Sequence, residues 1–206
     1  MSGQAAIDQH RLRRALGLFA TGVTVITVQN GEIMHGMTAN AFSALSLEPP
    51  LVLFCVGRKA RMARFLDGAD GFAINVLSTD QEMISGQFAG QMSPNEHEVT
   101  RLQPGLVAPI IPGALVSFSC ALEELHEGGD HWIVVGRVLE IHEPDGGNTR
   151  PPLVFFRSRY ALLTERSARA GDEIAWSNDA IRIYHDEWSV NPEERTEEEY
   201  VRAHIW

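Results

Sequence analysis

Small and hydroxyl-bearing side chains are concentrated between Gly36 and Ser46, where a plain β-strand would carry bulky residues. Thr38, Asn40 and Ser43 bring polar atoms to this segment, while its glycine and alanines let a ligand approach the backbone closely. One interpretation is a binding surface for a flat ring, which would form hydrogen bonds with backbone N–H and C=O groups. The other is a bend in a strand, in which the hydroxyl groups bond to local backbone atoms.

A basic cluster follows this segment after a Pro49–Pro50 corner and a continuous apolar run. Its members are Arg58, Lys59, Arg61 and Arg64. A guanidinium group presents a planar fork that matches phosphate oxygens, so Arg58 or Lys59 is the candidate for a phosphate contact. The alternative is a solvated helix face, because Arg61 and Arg64 are three positions apart.

A single histidine is a candidate for chemistry. His131 follows Gly129 and Asp130 at the start of a predicted strand, and an imidazole there can orient a substrate or influence a proton transfer. The alternative is a hairpin turn in which Asp130 caps the backbone and His131 is only partly exposed. The other seven histidines are far apart in sequence, so we expect no metal site.

Composition restricts the class of protein. The 206 residues are enough for one domain with an appendage, and the formal net charge of −10 argues against nonspecific nucleic-acid binding. Residues 171–206 hold ten acidic residues against three arginines. No apolar run is long enough to span a bilayer and none resembles a secretory signal, so we expect no membrane association. With only Cys55 and Cys120 we expect no disulfide framework and a cytoplasmic location.

The elements that must position these residues are mainly strands. Residues 12–19, 59–66 and 81–89 have helical periodicity or helix-start signals, and residues 90–113 indicate a long surface excursion. The predicted strands are residues 23–28, 32–46, 51–56, 72–77, 114–125 and 133–141, with two short ones within 151–163. Six or seven strands with tight turns predict a mainly β, antiparallel barrel with peripheral helices. We predict a barrel domain at residues 1–168 and an acidic C-terminal extension at residues 169–206.

From about Leu12 to Leu163 the chain resembles the flavin reductase-like family, the FMN-binding split barrels that serve as reductase components of two-component monooxygenases. The matching pieces are FATGVTVIT (19–27), GMTANAFS (36–43), PPLVL (49–53), FAINVL (72–77), Gln81, FA (88–89), GDH (129–131), GRV (136–138), PLVFFR (152–157) and Tyr160. Each piece alone is loose, but their common order over about 150 residues is specific.

The resemblance implies a Greek-key split barrel that forms a homodimer, with flavin near the subunit interface. The residues it assigns are Thr38, Ala39, Asn40 and Ser43 for the ring and ribityl chain, Cys55 and Val56 for backbone closure over the ring, Arg58 and Lys59 for the phosphate, Phe88 and Ala89 nearby, Tyr160 for the pocket wall and His131 for an active-site role. The chain has Ala60 and Met62 where the family often places a hydroxyl residue, so FMN and FAD both remain open.

The implied activity is an NAD(P)H:flavin oxidoreductase that passes hydride from NADH or NADPH to FMN or FAD and supplies a partner oxygenase. One alternative keeps the flavin bound and reduces another acceptor, and a second is a non-catalytic flavin- or haem-binding barrel. The acidic extension is either a docking segment for the oxygenase or a packing extension anchored by Trp176, Trp188 and Trp206.

Overall fold

The computed structural model describes residues 7–91, 101–144 and 149–163. These residues form ten strands and three α-helices. The strands are β1 (Thr21–Gly22), β2 (Thr24–Asn30), β3 (Ile33–Ala39), β4 (Phe42–Ser46), β5 (Leu51–Gly57), β6 (Gly71–Val76), β7 (Val116–Gly128), β8 (His131–His142), β9 (Val154–Phe156) and β10 (Arg159–Ala161). The helices are α1 (Gln9–Leu16), α2 (Arg61–Leu66) and α3 (Glu82–Phe88). None of these helices is long and apolar enough to cross a membrane.

Seven strands form one antiparallel sheet in the order β3-β2-β6-β7-β8-β5-β4. The two edge strands, β3 and β4, are consecutive in the chain and are joined by only Asn40 and Ala41. A linker this short keeps Ala39 and Phe42 within about 11 Å, so the two edges of the sheet meet at this end. The predicted mainly β, antiparallel split barrel with peripheral helices is therefore confirmed.

The barrel core is built from large apolar side chains of the central strands and α2. Phe54 and Phe72 are fully buried and meet edge to face, with ring centroids 5.0 Å apart. Met62 and Leu66 project from one side of α2 into the same cluster, which also contains Ile26. Because Met62 and Leu66 are four residues apart, they lie on the same side of α2 and pack that side of the helix against the core.

A second core lies between the main sheet and a small sheet of β1, β9 and β10. Buried Asn75 of β6 anchors the chain that follows α3, because its Oδ1 accepts hydrogen bonds from the Ile111 N–H (2.9 Å) and the Ser117 hydroxyl (2.8 Å). Ala108 and Ile111 are buried as well. The prediction of a surface excursion was therefore wrong for residues 107–112, because a buried amide draws this segment into the core, whereas Arg101, Gln103, Pro104 and Leu106 are exposed.

Two local predictions need correction. A continuous apolar run such as 51–56 predicts a strand that is covered on both faces, but Val52, Phe54 and Val56 are buried while the alternate residues of β5 are half-exposed. Thr79 and Asp80, directly before the helix predicted at 81–89, are residue types that predict an N-cap. Ser78 is the cap instead, and its backbone N–H donates to Gln81 Oε1 (3.2 Å). The predicted domain boundary at 168 and the acidic extension lie outside the described residues.

Candidate active site

The predicted ring-binding residues lie where the two sheet edges meet. Thr38 and Ala39 end β3, Ser43 lies in β4, and Asn40 is in the short linker between them. The Cys55 N–H donates to the Ala41 carbonyl (3.0 Å), which ties the linker to β5. Because β3 and β4 each pair with one neighbour only, their outer backbone N–H and C=O groups are not used in the sheet. The segment therefore offers hydrogen-bond donors and acceptors to a flat polar ligand.

Strand β8 brings His131 to the same end of β5. The register pairs Cys55 with Ile133, Val56 with Trp132, and Gly57 with His131. A Cβ at residue 57 would lie 3.8 Å from His131 Nε2, so glycine leaves open space beside the ring nitrogen. The strand pairing thus places Gly57 opposite His131, with Val56 and Cys55 next along β5, although all three are at least 74 positions away in the sequence.

Asp130 fixes the orientation of the His131 ring. The distance from Asp130 Oδ1 to His131 Nδ1 is 2.7 Å, and the imidazole remains half-exposed. The hydrogen bond from His131 holds the pKa of the Asp130 carboxyl below its usual range. A carboxylate at Nδ1 favours the proton on that nitrogen, which leaves Nε2 as the atom that can contact a substrate.

Helix α3 contributes the opposite wall through Ser85, a residue that the sequence analysis missed. The Thr38 hydroxyl donates to the Ser85 carbonyl (2.6 Å), and the Tyr160 hydroxyl donates to Ser85 Oγ (2.8 Å). The same carbonyl accepts from the Ala89 N–H (3.0 Å). Predicted residues from β3, β10 and the end of α3 therefore converge on one buried serine.

Phe88 packs directly over β3. A Cβ at residue 36 would collide with the Phe88 ring, so the glycine is required for α3 to approach the strand. Beside this contact is a cavity of about 510 Å³. It is lined by Met34, His35, Gly36, Met37, Ala60, Arg61, Met62, Gln87, Phe88, Ala89 and Gly90. The cavity lies within the range of roughly 300–1,000 Å³ that is typical of small-molecule sites.

The basic cluster is divided between two environments. Arg58 is engaged by other side chains: its guanidinium lies 3.2 Å from Glu127 and 4.3 Å from the centroid of the Trp132 ring. Lys59 is exposed in the turn between β5 and α2. Arg61 lines the cavity beside Phe88. These contacts place the Arg58 guanidinium beside the β7–β8 hairpin, and the phosphate contact of Arg58 or Lys59 stays a prediction.

The cysteines and possible metal ligands were also located. Cys55 is half-buried and Cys120 is buried, and neither forms a disulfide. Burial raises the pKa of Cys120 to about 12, which makes this thiol inert at neutral pH. Within the described residues, no three His, Cys, Asp or Glu side chains come together as a metal site.

A family model described as the flavin reductase like domain matches residues 16–164. The chain belongs to the flavin reductase-like family. The reductase component of a 4-hydroxyphenylacetate 3-monooxygenase from Thermus thermophilus is 43% identical over 151 residues, which are 73% of this chain and 94% of that protein. The reductase subunit HsaB of a flavin-dependent monooxygenase from Rhodococcus jostii is 37% identical over 155 residues, or 75% of this chain and 78% of HsaB.

Solved structures of flavin reductases share the fold. The NADH:FAD oxidoreductase SgcE6 of Streptomyces globisporus, in complex with NAD and FAD fragments, superposes with a TM-score of 0.70 at 38% identity and covers 78% of this chain and 96% of its own. The flavin reductase PheA2 gives a TM-score of 0.72 at 38% identity, with coverage of 77% and 100%.

The residues of this flavin reductase-like chain fit a flavin. The unused backbone groups of β3 and β4 match the hydrogen-bonding edge of an isoalloxazine ring, and the small side chains at Ala39 and Ala41 let the ring approach. The cavity beside Phe88 is large enough for the chain and phosphate that such a ring carries.

Proposed function

We propose that this protein reduces a flavin at the edge where β3 and β4 meet, with His131 beside the reacting rings. The chain is an NAD(P)H-dependent flavin reductase, and it supplies reduced flavin to a partner monooxygenase, as its family and relatives indicate. The observation that supports this placement best is the pairing of Gly57 with His131, which puts an oriented imidazole next to the Cys55–Val56 backbone.

A bound flavin would supply the hydride acceptor, and the protein would supply position and polarity. Backbone groups of Thr38 and Ala39 hold the polar edge of the ring in this proposal. Asn40 and Ser43 add side-chain hydrogen bonds near the ribityl chain, and Phe88 limits access of water. His131 offers Nε2 as an acceptor for the carboxamide of the nicotinamide, because Asp130 keeps the proton on Nδ1.

The test is steady-state oxidation of NADH, and then NADPH, with FMN or FAD as the acceptor. His131→Gln should lower kcat/KM for the nicotinamide about 2- to 10-fold, because the loss of one hydrogen bond costs about 0.5–1.5 kcal/mol. Flavin affinity should stay within about twofold, since no flavin-binding group is removed. The matched control is His126→Gln, an exposed histidine of β7 that pairs only with Glu124.

The outcome separates the alternatives. Oxidation that rises and saturates with added flavin supports a reductase of diffusible flavin. Flavin that stays bound through gel filtration, with turnover independent of added flavin, supports a reductase of another acceptor. Binding of flavin without any oxidation of NADH or NADPH contradicts the proposal and leaves a non-catalytic binding barrel.

We also propose that the active protein is a homodimer. Large apolar side chains are exposed at the end of β4 (Leu45 and Leu47) and in the second half of β8 (Leu139 and Ile141). The outward residues of β5 are only half-covered, as on a surface that meets a partner. Leu45→Glu should then shift the mass measured by light scattering from a dimer towards the 22.8 kDa of one chain. Leu106→Glu is the control, since Leu106 is also an exposed leucine but lies on another segment. An unchanged mass for both variants contradicts this interface.

The cytoplasmic location and the docking role of residues 169–206 stay predictions. Removing residues 171–206 should impair monooxygenase-coupled turnover but spare flavin reduction if the extension docks on the oxygenase. Coupled turnover that is unchanged by the deletion rules out that role.

A further inference from the structure

A second cavity adjoins the one at Phe88. It measures about 490 Å³ and is lined by Asn30, Ile33, Arg61, Arg64 and Phe65. Arg61 lines both cavities, so its side chain is within reach of a ligand in either one. Each lies within the range of roughly 300–1,000 Å³ for small-molecule sites, which suits a ligand with two bulky parts joined near a cation.

An aromatic pair stands between the two cavities. The rings of His35 and Phe65 are stacked, with centroids 4.8 Å apart and planes inclined by 17°. His35 lines the first cavity and Phe65 lines the second. Burial, and then the charge of Arg61, lowers the pKa of His35, so the stacked imidazole is neutral at physiological pH. Both cavities therefore have an uncharged aromatic wall.

The two arginines of the second cavity are not engaged by the rest of the protein. Among the described residues, neither Arg61 nor Arg64 forms an ion pair or a side-chain hydrogen bond, whereas Arg58 and Arg137 pair with glutamates. Arg61 and Arg64 are three residues apart on α2 and so lie on the same side of the helix. Two unpaired guanidinium groups in the lining of the second cavity, one of them shared with the first, fit a diphosphate.

We propose that the second cavity takes the adenosine half of FAD, and that Arg61 and Arg64 bind its pyrophosphate, so that the protein uses FAD in preference to FMN. The inference rests on the proposed function. Ile33 and Phe65 offer apolar surface to an adenine ring. Asn30 donates through Nδ2 to the Asp67 carbonyl, which leaves its Oδ1 as an acceptor for the adenine amino group.

Family membership does not decide this choice, because relatives of similar identity are named as FAD reductases and as FMN reductases. The same adenine diphosphate chemistry occurs in NADH. The flavin is favoured here because the first cavity is lined by Phe88 and Ala89 at the ring-binding edge. The nicotinamide is assigned to His131 on β8, next to Gly57.

The experiment compares Arg64→Gln, Arg61→Gln and the unmodified protein by quenching of FMN and FAD fluorescence, without any nicotinamide. The unmodified protein should bind FAD at least about tenfold more tightly than FMN, which corresponds to one good charged contact. Arg64→Gln should weaken FAD about tenfold and leave FMN within about twofold. Arg61→Gln should weaken both flavins, since Arg61 borders both cavities. Arg64→Lys should recover part of the FAD affinity.

The control is Arg11→Gln, an exposed arginine of α1 that lines neither cavity, and it should change neither affinity. Equal affinities for FMN and FAD, or equal losses of both in Arg64→Gln, overturn the inference. So does a rise in the KM for NADH in Arg64→Gln with FMN as the flavin, which would assign the cavity to the nicotinamide nucleotide. The fluorescence titrations contain no nicotinamide, so they test the inference separately from turnover. Absence of NADH oxidation with either flavin would contradict only the proposed reductase activity.

Discussion

Replacing Tyr160 by Phe should destabilise the fold more than replacing Thr38 by Val, although each change removes one hydroxyl that contacts Ser85. The two hydroxyls meet different atoms of the serine. Tyr160 donates to Ser85 Oγ, whereas Thr38 donates to the Ser85 carbonyl. That carbonyl keeps its bond from the Ala89 N–H when the Thr38 hydroxyl is removed. The loss in Thr38→Val is thus one net hydrogen bond, or about 0.5–1.5 kcal/mol.

The Tyr160→Phe change costs more because Ser85 is fully buried. Its Oγ loses the phenolic donor and gains no water, and leaving a buried polar atom unpaired costs about 1–3 kcal/mol. For a chain of this size each kcal/mol lowers Tm by about 2–4 °C, so Tyr160→Phe should melt about 2–12 °C below the unmodified protein. Ser85→Ala should cost less than Tyr160→Phe, because the half-exposed phenol can turn to solvent.

The measurement is urea unfolding, followed by circular dichroism, of the three single variants and of the double variant Ser85→Ala/Tyr160→Phe. The cycle should give a coupling energy of at least about 0.5 kcal/mol between the two side chains. Additive losses, or a Thr38→Val variant less stable than Tyr160→Phe, would refute the reasoning. Either result would mean that the hydrogen bond from the Tyr160 hydroxyl to Ser85 Oγ does not contribute to stability in solution.

Three further predictions rest on single sites. Gly36→Ala should destabilise the protein by about 1–3 kcal/mol and raise the KM for flavin, since its Cβ must displace the Phe88 ring. Urea unfolding and kinetics check this, and Gly22→Ala, whose Cβ meets no neighbour within 4 Å, is the control. Between pH 7 and pH 5, the Tm of the His35→Phe variant should fall less than the Tm of the unmodified protein. Burial lowers the pKa of His35 from its ordinary 6.5, so the unfolded chain gains a proton first as pH falls; parallel Tm curves would contradict this. Cys120 should stay unmodified by a thiol reagent at pH 8 until the protein unfolds, because its pKa is about 12; native reaction of both cysteines would contradict its burial.

Local sequence patterns predicted the strands well because alternation, tight turns and β-branched residues are decided over a few positions. The strands of the β2–β3 and β7–β8 pairs are examples. Residues 32–46, predicted as one strand, are instead divided into β3 and β4 at Asn40 and Ala41. The three-stranded sheet of β1, β9 and β10 was not foreseen. It joins residues 21–22 to residues 154–155, and a two-residue strand has no periodicity to detect.

The predicted site residues group around the β3–β4 edge, but the side chains that hold them there were not visible in sequence. Ser85 is one example, since a serine within a helix has no pattern that marks it as a buried hydrogen-bond partner. Glu127 and Trp132 are others, because their contacts with Arg58 depend on the register of the β7–β8 hairpin. Trp132 does follow the GDH motif directly, and that position was the available signal.

The topology itself explains why a flat ligand belongs at this edge. An open sheet edge presents unpaired backbone groups and invites pairing with other chains, so folded proteins normally cover it. In this chain β3 and β4 are both edges, and the two-residue linker keeps them too close for a further strand to insert. A planar molecule with donors and acceptors on its rim can use those groups where a strand cannot. Small residues at Ala39 and Ala41 are therefore a requirement of the site, because larger side chains would hold the ring away from the backbone that binds it.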